Sequence, residues 1–249
     1  MINVNKLLGE FLELGYLAGL GYSILGNIGE YPLVLMSPKK HKEGKRILIS
    51  AGFHGEEPGG CLGLLKFLSE CNENSLDGVS LSLLPIMNPT GIAKGQRKND
   101  WGESTNGGFC HKMGDKPSKE GRILLNNLTF IKSLAQDGFI SLHEDMVYGD
   151  RFFIYSFEHG DEPGPFSKAL YDAEVKHFPP VEDGLILGPG GGIAKNAIIF
   201  RHCDGTFEDL LFHEGTPMTA CTETPGKADL EKRTNANADI VKAFINFVQ

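Results

Sequence analysis

The run "RILISAGF" (Arg46–Phe53) limits what this 249-residue chain can become more than any other feature. It is short and almost continuously apolar. A strand that alternates polar and apolar residues can face water; one that does not has both faces covered. "VSLSLLPIMNPTG" (Val79–Gly91) reads as a second buried strand ending in a turn, and "GFISLHEDM" (Gly138–Met146) as a third. "RFFIYSF" reads as a fourth, and "MTACTETPG" as a further strand end. Helical patterns stand between these runs: "GGCLGLLKFLSECNE", "EGRILLNNLTFIKSLAQ" as one helix, a segment near Pro165–Val175, and an amphipathic Lys227–Val248. A helix spanning Leu7–Tyr16 and two short strands around a Gly-rich turn in "YSILGNIGEYPLVLMS" precede them. Strands alternating with helices imply an α/β fold with a largely parallel sheet. No repeat, low-complexity tract or linker interrupts the pattern, so one domain over residues 1–249 is expected.

In open α/β sheets, sites form beyond the carboxyl ends of the strands. Three of these strands end in residues of catalytic type: His54 with Glu57, His143, and Glu223. A catalytic zinc takes three protein ligands and keeps a fourth position open, and two His with one Glu is one such set. His54 and Glu57 stand at i, i+3, where a strand-end His and a Glu entering the first helical turn can aim at one point. His143 fits as the third ligand, and Glu223 as the base for a metal-bound water. The spacing alone does not choose, because "HGDEPGP" offers a rival pair, His159 and Glu162, with His177, His202 or His213 available as its third ligand.

Other chemistries find less support. "LGPGGGIAKN" fits neither phosphate-binding glycine pattern and reads as a loop. "GESTNGG" is not a nucleophile elbow. The net charge of −8 argues against nucleic acid or an anionic lipid surface as partner. No apolar run approaches the length of a membrane span. The five cysteines form no C-x-x-C and read as reduced thiols. The N-terminal segment carries acids within its apolar pattern, unlike a secretory leader, so a cytoplasmic protein is expected.

Taken in order, "ISAGFHGEEPGG", "PIMNPTG", Arg97, Asn106, "FISLHED" and "TETPG" resemble the zinc carboxypeptidase superfamily. That superfamily includes carboxypeptidase A-like peptidases and the succinylglutamate desuccinylase/aspartoacylase group. The resemblance implies a three-layer α/β/α fold with a mixed, largely parallel central sheet. It implies one zinc per chain on His54, Glu57 and His143, with Glu223 as general base and Arg97 polarising the scissile carbonyl. It places substrate binding on Asn106 and Arg97, and it demotes His159 and Glu162. Glu144 and Asp145 follow His143 directly; one of them is a candidate to orient a ligand imidazole, with solvated loop acids the alternative reading. The implied activity is that of a carboxypeptidase-like metallopeptidase acting on a small peptide. An N-acyl amino acid deacylase is the alternative, and a metal-binding homologue with altered catalysis a second one. The deacylase group carries an added β-rich C-terminal domain, so a chain with one helix after Glu223 is expected on the peptidase branch. One position departs from the pattern: Gly107 stands where an Arg holding the substrate's terminal carboxylate is expected, and glycine cannot make a bidentate clamp. Lys112, Arg151 and Arg201 are candidate replacements, and Tyr148 and Tyr155 candidates for the superfamily's mobile tyrosine.

Overall fold

The computed structural model describes residues 2–39, 43–71, 75–110, 116–187 and 191–249. Its elements run α1 (Val4–Leu17), β1 (Leu20–Ile28), β2 (Tyr31–Pro38), β3 (Lys45–Ala51), α2 (Pro58–Glu70), β4 (Val79–Leu84), α3 (Pro89–Lys94), α4 (Lys119–Asn126) and α5 (Leu128–Leu134). They continue with β5 (Gly138–Asp145), β6 (Phe153–Phe157), α6 (Pro165–Glu174), β7 (Ile186–Leu187), β8 (Gly192–Ile193), β9 (Ile198–Phe200), α7 (Phe207–His213), β10 (Thr219–Pro225) and α8 (Leu230–Val248).

One eight-stranded sheet has the order β1-β2-β4-β3-β5-β10-β6-β9. Strands β4, β3, β5 and β10 pair in parallel, and β1, β2 and β6 join antiparallel. The fold is therefore α/β with a mixed sheet whose central strands are parallel, as the apolar runs implied. Ile47, Leu48, Ile49, Phe139, Ile140 and Leu142 are fully buried, which accounts for the lack of alternation in β3 and β5. Helices α1, α2, α6 and α8 pack on one face through Phe11, Leu64, Phe166 and Phe244. Helices α4, α5 and α7 cover the other through Leu124, Ile131, Phe207 and Leu211.

The structure corrects several local expectations. "NPTG" is not a turn: Asn88 caps α3, its Oδ1 accepting the Gly91 N–H at 2.8 Å. The segment expected as one helix before β5 breaks at Asn127, whose Nδ2 donates to the Ile123 carbonyl at 2.8 Å. Such a side chain competes with the helix ladder. The Gly-rich loop carries the short β7–β8 pair at its described ends; residues 188–190 within it lie outside the described residues, as does Lys112. β9 and α7 were not anticipated, being too short to show a period.

The junction of β3 and α2 positions the site. Gly52 adopts φ +72°, a conformation a side chain resists, and turns the chain out of β3. Glu57 is the N-cap of α2, but its side chain makes no capping bond and is left for other work. Glu144 on β5 supplies the missing partner, accepting the Gly59 N–H at 2.8 Å. A Cβ at position 59 would collide with that carboxylate. Arg233 of α8 donates to the other Glu144 oxygen at 2.8 Å. Glu144 thus ties α2, β5 and α8 together. It is fully buried, and burial pushes its carboxyl up to about 7 against the opposing pull of Arg233.

Replacing Arg233 by Met strands that carboxyl without its cation, and the loss is expected to be ~3 kcal/mol. Urea unfolding of Arg233→Met and of the double variant Arg233→Met/Glu144→Gln measures it. The double variant is expected to recover part of the loss; equal stability of the single variant and wild type would contradict the assignment.

Candidate metal centre

β10 lies beside β5 in parallel register, Glu223 opposite His143. Residues paired in this way send their side chains to the same face. His54 and Glu57 arrive from the adjoining β3–α2 junction. The four therefore converge at the carboxyl ends of three neighbouring strands. They line a cavity of about 520 Å³, together with Arg97, Asn106, Gly107, Asp145, Tyr148, Tyr155 and Asp204 among others. That volume suits a small ligand.

His54, Glu57 and His143 are 5%, 2% and 2% exposed, and each offers a ligand atom within 4.8 Å of the others. His143 Nδ1 lies 3.0 Å from Glu57 Oε2. His54 Nδ1 is buried with no hydrogen-bond partner. A buried acceptor without a donor costs free energy unless something fills the place. Two imidazoles and a carboxylate arranged around such an orphan match the donor set of a zinc centre, so the residues present fit the ion. Among the described residues the combination His143, Glu208 and Cys221 also lies close. There, however, Glu208 is already engaged by the Ser141 hydroxyl and the Asn106 amide.

The charges reinforce the fit. Burial pushes the His54 imidazole down to about 3, aided by His143 and Arg97 and opposed by Glu57, so it is a neutral donor. Burial pushes the Glu57 carboxyl up, but His54, His143 and Arg97 outweigh it and hold it below its ordinary range. His143 goes the other way: burial lowers it, yet the Glu57 hydrogen bond and charge, with Glu223 and Glu208, carry it to about 9.

The surrounding residues hold these three in place. Glu57 Oε1 accepts from Arg97 Nη1 at 3.0 Å, which also lies 3.5 Å from Glu56, and Glu57 Oε2 accepts the Glu144 N–H at 3.2 Å. The His143 ring stacks on Phe53, interplanar angle 9°. Asn106 is buried, its Nδ2 3.2 Å from His143 Nε2, within reach of both Glu208 oxygens, and its Oδ1 accepting the Phe207 N–H at 3.0 Å. Glu208, fully buried on α7, had no sequence signal: nothing in "TFED" marks it out. Asp145 binds the Val147 and Tyr148 N–H groups instead of a ligand imidazole.

The rival pair is not brought together with a third ligand among the described residues. His159 rests against Phe212, and Glu162 lies 3.9 Å from Lys195. Arg151 donates to the Pro180 carbonyl and Arg201 to that of Gly160, and neither lines the cavity. A Cβ at Gly107 would meet only Ser104 Oγ, at 3.9 Å, so the position has room for a larger side chain.

Residues 43–138 match the family model of the succinylglutamate desuccinylase/aspartoacylase catalytic domain. The fold superimposes on a candidate metallopeptidase of Shewanella baltica OS155 with a TM-score of 0.92 and 35% identity, covering 99% of this chain and 93% of that one. A candidate metallopeptidase of Shewanella amazonensis SB2B gives 0.89 and 40%, covering 98% and 92%. A metallo-carboxypeptidase of Burkholderia cenocepacia shares the fold at 16% identity, with a TM-score of 0.70 over 98% of this chain and 68% of that one. No curated protein matches the chain. The chain belongs to the family of these Shewanella proteins, and it shares the fold of the metallo-carboxypeptidase.

Zinc added to the metal-free protein at pH 7 is expected to release at least one proton per chain, because His143 is held protonated up to about 9 and a ligand imidazole must be neutral, and Glu223, raised to about 8, can add to the count. Calorimetric titration in two buffers of different ionisation heat counts it. No release, or uptake, would contradict the assignment of His143.

Proposed function

We propose that the chain is a zinc-dependent, carboxypeptidase-like hydrolase of peptide or amide bonds. The observation that carries this reading is the convergence of His54, Glu57 and His143 on one orphaned point, with Glu223 in register beside His143. A zinc held by the three would lower the pKa of a water toward neutrality and polarise the substrate carbonyl.

The chain's own residues supply the rest. Glu223 takes the proton from the attacking water and returns it to the leaving nitrogen. Burial pushes its carboxyl up to about 8; His143 pulls it down, Glu57 and Asp145 push it up, and Arg97 pulls it down. It is thereby a stronger base than a solvated glutamate once ionised. Arg97, 53% exposed and pinned by Glu57 and Glu56, presents positive charge at the cavity where an oxyanion develops. Asn106 lines the cavity, but its amide is spent on His143, Glu208 and Phe207. Its part is to fix the His143 ring, and it contributes to substrate binding only through the wall it forms.

Gly107 governs the choice of substrate. With no guanidinium there, a free α-carboxylate has no bidentate partner. Two observations keep the N-acyl amino acid deacylase as a second reading: the family model matched by residues 43–138, and this missing clamp. A zinc-loaded screen of free peptides, amidated peptides and N-acyl amino acids decides between them.

Glu223→Gln is expected to keep zinc and lose activity by about 10²- to 10⁴-fold; an unimpaired variant would refute the base. Gly107→Arg, for which there is room, is expected to raise kcat/KM on peptides with a free α-carboxylate by about tenfold over their amides, roughly 1.4 kcal/mol. Unchanged discrimination in paired assays would show that the position does not face the substrate's end.

A further inference from the structure

Outside the centre just described, Cys203, Asp209 and His213 offer one ligand atom each within 4.8 Å of one another. Cys203 lies in the loop between β9 and α7, and Asp209 and His213 stand one turn apart on α7. Cys203 Sγ is 3.8 Å from His213 Nε2. Two ligands on a tetrahedral zinc, one sulfur and one nitrogen, lie about 3.6 Å apart by their bond lengths. On the other side of the ring, His213 Nδ1 is 2.8 Å from both the Asp209 carbonyl and Asp209 Oδ1. Asp209 itself is 3% exposed; its Oδ2 accepts the Gly205 N–H at 3.0 Å, while Oδ1, though close to the ring, receives no aligned hydrogen bond. A buried carboxylate set against a thiol and an imidazole favours a cation shared among the three.

We propose that Cys203, His213 and Asp209 form a second metal site, for a borderline divalent cation such as zinc. Thiolate with imidazole is the donor chemistry that selects such an ion over magnesium or calcium. The reading of the same trio as a nucleophile with its base is weaker. Burial, then Asp209, Asp204 and Cys110, push the Cys203 thiol up to about 11, so no thiolate is available near neutrality. A cation reverses that: its charge favours the thiolate that the acids disfavour. The site reaches the reaction centre through the chain, because the loop that carries Cys203 also carries His202, Asp204 and Thr206 of the active cavity's wall. α7 in turn carries Glu208, which holds Asn106 against His143. A metal at Cys203 and His213 pins that wall to α7.

The test uses the full chain, stripped of metal and titrated with zinc and, separately, with cobalt(II). Elemental analysis is expected to find two zinc ions per wild-type chain. Cys203→Ser and His213→Ala are each expected to lose one and keep the other, and His143→Ala to lose the other one. One ion in wild type that His143→Ala abolishes and Cys203→Ser leaves would overturn the second site and spare the first. One ion that Cys203→Ser abolishes and His143→Ala leaves would do the reverse. Cobalt gives a readout independent of activity: His54, Glu57 and His143 contain no sulfur, so a thiolate-to-cobalt charge-transfer band reports Cys203. The band is expected in wild type, His143→Ala and Cys221→Ser, and is expected to vanish in Cys203→Ser. A wild-type spectrum without it, or its persistence in Cys203→Ser, contradicts the proposal. Cys203 is exposed, so the serine variant leaves the core untouched.

Discussion

The contact on which the rest depends is the one between Glu57 and His143. A carboxylate with 2% of its surface exposed is costly to ionise unless positive charge surrounds it. Here Arg97 takes one oxygen, while His143 and the Glu144 N–H take the other. Glu57 is also the N-cap of α2, so whatever compensates its charge also fixes the start of that helix. Glu144, one residue beyond His143 on β5, accepts from Gly59 in the same first turn. The helix start and the strand end are thus joined twice, once through the candidate ligands and once through a buried carboxyl held by Arg233.

Much of this was legible in the residues. "RILISAGF" and "GFISL" lacked alternation because both helical layers press on them, and their length told strand from helix. His54, Glu57, His143 and Glu223 were identified as strand-end chemistry, and the structure brings all four to one cavity. The rival pair His159 and Glu162 had the same spacing. Only the distance between elements separates them, and spacing carries no information about that.

What stayed hidden is equally physical. α7 spans seven residues, too few to display a period, yet it supplies Glu208 and the Asp209–His213 pair. The backbone that delivers it bends through positive φ at Asn196, Ala197 and Arg201, conformations that no local pattern in "KNAIIFRHCDG" announces. Asn127 split a helix because its side chain reached its own backbone, a competition that apolar periodicity does not register. Asn106 was expected to face substrate. It lines the cavity, and its amide also meets His143, 37 residues on, and Glu208, 102 residues on, contacts that no local pattern announces.

The central claim is that His54, Glu57 and His143 share one cation. Anomalous diffraction at the zinc edge from zinc-loaded crystals tests it most directly. The expected map places a peak between His54 Nδ1, His143 Nδ1 and the Glu57 carboxylate. A zinc-loaded protein with no peak there, and with Glu57 still hydrogen-bonded to His143, would contradict it.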